Sequence, residues 1–319
     1  MTRPTHSIAG HGLTATFLDI GATLHELRLE GHGTPLNLGL ADTGDYPAKA
    51  SYMGATAGRV INRIGGASFD LDGGTHRTDP NFLDRHTLHG GSRGMGKRDW
   101  SVADRGDGWI AFALVQEDGD MGFPGRLEAE ARFTLEADAT LRIDYRATAD
   151  RPTPCAIGHH SYWKLDDAQT VDDHVLTLAA DRMTAVDDDL IPTGELASVA
   201  GTPFDFRAGR PVGGFDLLDH NLCTAQARGP LRAVGTLRSP RSGVTMRIAT
   251  TEPGMQVYDG AKLRPGLRGV GGLTYGPRAG VALEPQNWPD AVNHDGFPDC
   301  ILRPRETYEQ TTTFSFSKG

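Results

Sequence analysis

LEAEARFTLEADATLRIDYRA, residues 127–147, decides the fold class. Leu127, Ala129, Ala131, Phe133 and Leu135 alternate with Glu128, Glu130, Arg132 and Thr134. Successive side chains of a strand point to opposite faces, so this spacing describes a strand with one apolar and one wet face. After a short break at Glu136–Thr140, the residues Leu141, Ile143, Tyr145 and Ala147 alternate with Arg142, Asp144 and Arg146. The two runs read as an antiparallel hairpin with one face buried. The same period returns at Val244, Met246 and Ile248 after a Ser242-Gly243 turn, and at Tyr308, Thr312, Phe314 and Phe316 near the C-terminus. Trp109 to Val115 reads as a more fully buried strand. Helical periodicity is scarce, and its best stretch, Met53, Ala57, Val60, Ile61 and Ile64, is short. Many strands separated by turn signals imply an all-β protein of antiparallel sheets packed face to face. Periodicity alone does not choose between sandwich and barrel.

Bulk properties narrow the function. The chain has 319 residues, 23% of them charged, with a formal net charge of −9. Long all-β chains often form one unit, and a single domain over residues 1–319 is expected. The acidic balance argues against nucleic acid, whose phosphates need a basic face, and against an anionic membrane surface. No apolar run approaches the roughly 20 residues of a membrane span, and residues 1–10 lack a signal-like apolar stretch. A cytoplasmic protein acting on a neutral small molecule fits these properties. Cys155, Cys223 and Cys300 are widely spaced and odd in number, which reads as three reduced thiols, not a disulfide framework.

No G-x-G-x-x-G after a strand, P-loop, H-E-x-x-H or G-x-S-x-G elbow is present. What remains is a set of polar residues in apolar surroundings. Glu284 follows the apolar run Val281-Ala282-Leu283 and reads as the end of a buried strand, where a carboxylate is costly unless paired or used. His160 lies between Ala156-Ile157 and Tyr162-Trp163 in a similar setting. The adjacent His159 and the His86/His89 pair raise the question of zinc. Neighbours on a strand face opposite ways, so His159 and His160 should not share an ion, and no metal site is expected.

These segments occur together in a recognisable order. They include G-R-V-I-N-R-I at Gly58–Ile64, L-H-G-G at Leu88–Gly91 with K-R-D-W at Lys97–Trp100, and H-H-S-Y-W at His159–Trp163. Asp188–Glu195, Gly201–Arg207 and D-H-N at Asp219–Asn221 follow. The chain then closes with L-E-P-Q-N-W-P-D-A-V-N at Leu283–Asn293 and a stretch at Leu302–Thr312. In this order and phrasing the chain resembles the aldose 1-epimerase (galactose mutarotase) family from about Gly12 to Ser317.

The resemblance implies a large antiparallel β-sandwich, the galactose-mutarotase-like supersandwich, with a sugar cleft across one sheet. It implies Glu284 as general base, His160 as general acid, and Asn62, Arg63, His89, Asp219 and Gln256 as sugar contacts. It also implies a free monosaccharide as partner and no cofactor or metal, in a monomer or homodimer. The chemistry suits the pair. A base removes the proton of the anomeric hydroxyl while an acid protonates the ring oxygen, and the opened aldehyde turns and recloses. A nearby Glu284 carboxylate is expected to favour protonated His160. His159 where the family often has Asn, Trp163 where it commonly has Phe, and Leu217-Leu218 before D-H-N depart from the family pattern. They are expected to line or shape the cleft. A hexose-phosphate epimerase and a non-catalytic sugar-binding protein on the same fold are the alternatives.

Overall fold

The computed structural model describes residues 2–319. The expected hairpin forms: Leu127–Glu136 pairs antiparallel with Thr140–Ala149, Leu127 opposite Ala149 and Glu136 opposite Thr140. Its three-residue turn places Asp138 and Ala139 in the left-handed region, at φ 57° and 48°. On the inner face Ala129, Ala131, Phe133 and Leu135 meet Ala147, Tyr145, Ile143 and Leu141, all buried. On the outer face Glu130 meets Arg146 and Arg132 meets Asp144, opposite charges at cross-strand positions.

This hairpin lies within a nine-stranded antiparallel sheet. From one edge the order runs Arg210–Pro211, Val175–Leu178, Arg232–Arg238, Val244–Thr250, Tyr308–Lys318, Thr140–Ala149, Leu127–Glu136, Trp109–Gln116 and Ser101–Gly106. Trp109–Gln116 is largely buried as expected, except at its far end, where Val115 is exposed. A second sheet of six strands runs Tyr162–Trp163, Val281–Gln286, Gly254–Tyr258, Asp219–Cys223, Arg182–Val186 and Pro192–Ser198. One large core joins residues of both, with Phe133, Ile143, Phe314 and Phe316 from the first and Trp163, Leu222, Met255, Val257, Val281 and Leu283 from the second. The sandwich, not a barrel, is the arrangement adopted.

Two expectations fail here. The helix-period stretch from Met53 to Ile64 is not helical: Ala55–Ala57 is a strand paired with Gly158–His160, and Arg63–Ile64 is a strand paired with Thr87–Leu88. These apolar residues are buried on several sides by different neighbours, so their spacing reflects tertiary burial and not one helical face. Among the described residues Tyr46–Lys49 is the one α-helix, and no helix is long and apolar enough to cross a membrane. Glu284 also does not end its strand, which continues through Pro285 to Gln286 with every residue buried. Proline is tolerated because the neighbouring Tyr162–Trp163 strand pairs only as far as Ala282, so no ladder bond is lost on that side.

Cys155, Cys223 and Cys300 are free and buried. Burial pushes each thiol up to about 12.

Candidate active site

Alternation along two short strands sorts the His-His-Ser-Tyr-Trp segment. His159 points into the sandwich core, bonding Ser161 Oγ through Nε2 at 2.7 Å and packing near Phe133 and Phe314. His160 points the other way, into a cleft. Trp163 likewise goes to the core against Phe314, while Tyr162 lines the cleft. The substitutions at His159 and Trp163 therefore do not line the cleft, and Leu218 is also a core residue, fully buried. They fill the space beneath it.

The cleft has a volume of about 290 Å³ and is bounded by Tyr52, Asn62, Arg63, Phe82, His89, His160, Tyr162, Asp219, Tyr258, Lys262 and Glu284 among others. His160 Nε2 lies 3.5 Å from Glu284 Oε1, and both side chains are at least 95% buried. Glu284 Oε2 has no protein partner. The sheet register aligns the remaining groups. Glu284 stands opposite Gln256, and Gln256 opposite Asn221, with Asp219 two residues before it on the same face. Gln256 Nε2 donates to Asp219 Oδ1 at 2.6 Å, and Arg63 Nη2 donates to Asp219 Oδ2 at 2.8 Å. Arg63 Nη1 also donates to Asn62 Oδ1 at 3.1 Å. Asp219 is thus held from two sides, while Gln256 lies behind it and does not itself bound the cleft.

Asn62 and His89 come from separate segments and both adopt left-handed backbone, φ 65° and 51°, uncommon outside glycine. They hold each other. The His89 N–H donates to Asn62 O at 2.8 Å, and the Asn62 N–H donates to His89 Nδ1 at 3.1 Å. Because Nδ1 accepts, the neutral ring carries its proton on Nε2, which makes His89 a donor for the cleft. Gly90 lets the two segments meet: at φ 80°, any Cβ there would lie 2.1 Å from Gly58 O. Within the same motif Arg59 has a different task. It is fully buried and donates to Pro124 O, Gly125 O and Thr153 Oγ1, tying the loops behind the site together.

Asp290, from the P-D portion of the last motif, braces Arg63. Its N–H donates to Arg63 O at 3.0 Å, and its Oδ1 accepts from the Gly65 N–H at 2.9 Å and from Asn293 Nδ2 at 2.7 Å. The loop that follows the Glu284 strand thereby fixes the Arg63 backbone.

Electrostatics differ from the expectation that Glu284 would hold His160 protonated. Burial is the largest influence on both groups. It lowers His160 to about 4, with Asp219 acting to raise it and Lys97 to lower it further. It raises Glu284 well above the usual carboxylate range, helped by Asp219 and opposed by Arg63. Burial thus favours neutral imidazole and carboxylic acid over the ion pair. His89 is held well below the usual imidazole range by burial, then by His160, Arg63 and Lys97.

Every residue singled out from the sequence, Glu284, His160, Asn62, Arg63, His89, Asp219 and Gln256, falls in or directly behind this cleft. Tyr52, Phe82, Tyr162, Tyr258 and Lys262 complete its wall and were not assigned roles. Tyr162 and Tyr258 were within reach, since each shares strand parity with an assigned residue, His160 and Gln256. Tyr52, Phe82 and Lys262 sit on irregular segments without periodic signal.

A β-sandwich with a buried imidazole–carboxylate pair at the floor of a monosaccharide-sized polar cleft defines an acid–base enzyme of carbohydrates. Comparison with known proteins gives the family. The aldose 1-epimerase family model matches residues 5–315. Galactose mutarotase from Homo sapiens is 37% identical over 316 residues, spanning 96% of this chain and 91% of its own. Aldose 1-epimerase from Escherichia coli (strain K12) is 36% identical over 321 residues, spanning 96% and 92%. A crystal structure of an aldose epimerase homologue from C. elegans superposes with a TM-score of 0.93 at 34% identity, covering 99% of both chains. The chain belongs to the aldose 1-epimerase family, and its activity is that of an isomerase, a mutarotase.

Proposed function

We propose that the protein interconverts the α and β anomers of a free monosaccharide, with Glu284 as base and His160 as acid. The observation that carries this reading is the facing pair, Nε2 to Oε1 at 3.5 Å, on the cleft floor. The pair needs one proton in total. Before reaction it shifts from Glu284 to His160, a transfer favoured by Arg63 beside the carboxylate and by Asp219 acting on the imidazole. Glu284 then takes the proton from the anomeric O1–H as C1=O1 forms. The C1–O5 bond breaks, and its electron pair takes the His160 proton. Rotation about C1–C2 turns the aldehyde, and the reverse transfers close the ring on the other face. The pair ends as it began, so no redox partner is needed.

His89 Nε2–H, Arg63 and Asn62 supply donors to sugar oxygens, and Asp219 accepts from a hydroxyl. Gln256 acts through Asp219. The cleft lining holds two cations, Arg63 and Lys262, and Arg63 is already bonded to Asp219. That favours a neutral sugar over a hexose phosphate, which would call for a cationic cluster. Polarimetry on freshly dissolved pure anomers tests the reading: addition of protein should accelerate approach to equilibrium without changing the final rotation. Catalysis of sugar-phosphate anomers alone would overturn it. We further propose a cytoplasmic protein, one domain per chain, acting as monomer or homodimer. The acidic charge and three buried thiols support this, and light scattering with limited proteolysis checks it.

A further inference from the structure

Phe82 is a half-buried aromatic residue on the cleft wall that no part of the acid–base scheme uses. Its surroundings are built. Phe82 N–H donates to His86 O and His86 N–H donates to Phe82 O, both at 2.9 Å, closing a three-residue turn in which Leu83 and Asp84 are left-handed at φ 52° and 54°. Asn81 grips the base of the turn, accepting from the Leu88 N–H at 2.8 Å and donating to Leu88 O at 3.0 Å. His86 then fastens the turn to the rest of the molecule. Its Nδ1 accepts from the Gly66 N–H at 3.0 Å, so Nε2 carries the proton and donates to Asp189 Oδ2 at 3.1 Å. Arg85 Nη2 donates to the same oxygen. Leu83, at the tip, is 53% exposed, an apolar edge on a polar cleft.

A pyranose presents hydroxyls around its rim and C–H groups on its faces. The polar residues of the cleft answer the rim, and a face needs an apolar platform. The tyrosines are largely committed. Tyr52 carries Lys97 Nζ 4.3 Å from its ring centre and packs on His89 at 4.5 Å. Tyr162 is buried against His160 and Tyr258. Tyr258 accepts from the Lys262 N–H through its hydroxyl. Phe82 has Arg63 Cζ 5.1 Å from its ring centre and remains partly open.

We propose that Phe82 is a specificity-determining residue whose ring forms the platform for the C–H face of the bound pyranose, and that Asp189 positions it by clamping His86 and Arg85. The proposal rests on the mutarotase reading and names how that site selects its sugar. It implies preference for pyranoses with an unobstructed C–H face over sugars too small to cover the ring.

The test is steady-state polarimetry on the full chain with glucose, galactose and a pentose, for parent, Phe82→Ala, Phe82→Tyr, Asp189→Ala and the Phe82→Ala/Asp189→Ala pair. Phe82→Ala should raise KM for the hexoses about tenfold with kcat within twofold, the size expected for one aromatic contact. Phe82→Tyr should keep the parent KM. Asp189→Ala should raise KM several-fold, and should add nothing once Phe82 is gone, because both act on one contact. A KM unchanged by Phe82→Ala, or a fall in kcat alone, would overturn the proposal; the latter would show the ring serving only Arg63. An active parent with unchanged Phe82→Ala removes this proposal alone. An inactive parent removes the mutarotase reading and this inference with it.

Discussion

Glu284→Gln separates a catalytic carboxylate from a structural one. The residue is 2% exposed, with one oxygen 3.5 Å from His160 and the other unpartnered by protein. An amide keeps the shape and the ability to face His160 but cannot take a proton. Loss of one general base lowers the rate by about 10²–10⁴, or roughly 3–5.5 kcal/mol at 1.36 kcal/mol per decade. Stability should move the other way. Burial raises the Glu284 proton affinity well above the ordinary carboxylate, so the folded chain keeps its proton while the unfolded chain loses it above about pH 4.5. The sign follows: a raised folded-state pKa contributes stability below the unfolded value and loses it as pH rises, by about 1.4 kcal/mol per pH unit until the folded group ionises. Gln does not titrate. The variant should therefore match the parent in urea midpoint near pH 4.5 and exceed it progressively toward pH 7. The same shift governs the alkaline limb of the parent's pH–rate profile, because the working pair needs its one proton and loses it only when Glu284 ionises, above the usual carboxylate range; entry of a second proton, on His160 at about 4, sets the acid limb. The assays are polarimetry, corrected for spontaneous mutarotation, and urea unfolding at several pH values. Turnover by Glu284→Gln within threefold of the parent would refute the mechanism.

The other predictions are these. His160→Asn should lose roughly 10²–10⁴ in rate while retaining sugar binding in calorimetry, and a fully active variant would move the acid to another group. Asp290→Ala leaves the half-buried Gly65 N–H without its side-chain acceptor and should cost about 1 kcal/mol in stability. It should also reduce kcat/KM, measured in the folded fraction, whereas Asp290→Asn retains the acceptor and should keep most of both. Acidification should destabilise the fold. His89, His159, His160 and His174 are all held low by burial, His159 to about 3 and His160 and His174 to about 4. They stay neutral in the folded chain while the unfolded chain protonates below about 6.5. With Glu284 opposing, four groups less one give up to about 4 kcal/mol lost per pH unit between 6.5 and 4.5. A flat urea midpoint across that window would refute it. Finally, a thiol reagent at pH 8 should find no reactive cysteine in the native protein and three after unfolding, since burial holds all three thiols protonated at about 12.

The alternation from Leu127 to Ala147 is a local property: each residue's parity gives its face, so the hairpin, its turn and its buried side follow from the chain itself. The same parity sent His159 to the core and His160 to the cleft. Motif order carried the family and pointed to the seven residues that the fold gathers in or directly behind the cleft. What the chain could not supply was anything set by neighbours distant in sequence. The Met53–Ile64 spacing looks helical because several different surfaces bury it, and periodicity has no way to tell one partner from many. The choice of sandwich over barrel depends on which strands close the sheets. The bracing of Arg63 by Asp290 joins residues 227 positions apart in the chain, a distance that only the packed loops cross. The directions of both shifts, Glu284 upward and His160 downward, come first from desolvation, because the carboxylate that was expected to favour imidazolium is itself buried. Desolvation is a property of the assembled volume, and no spacing of letters records it.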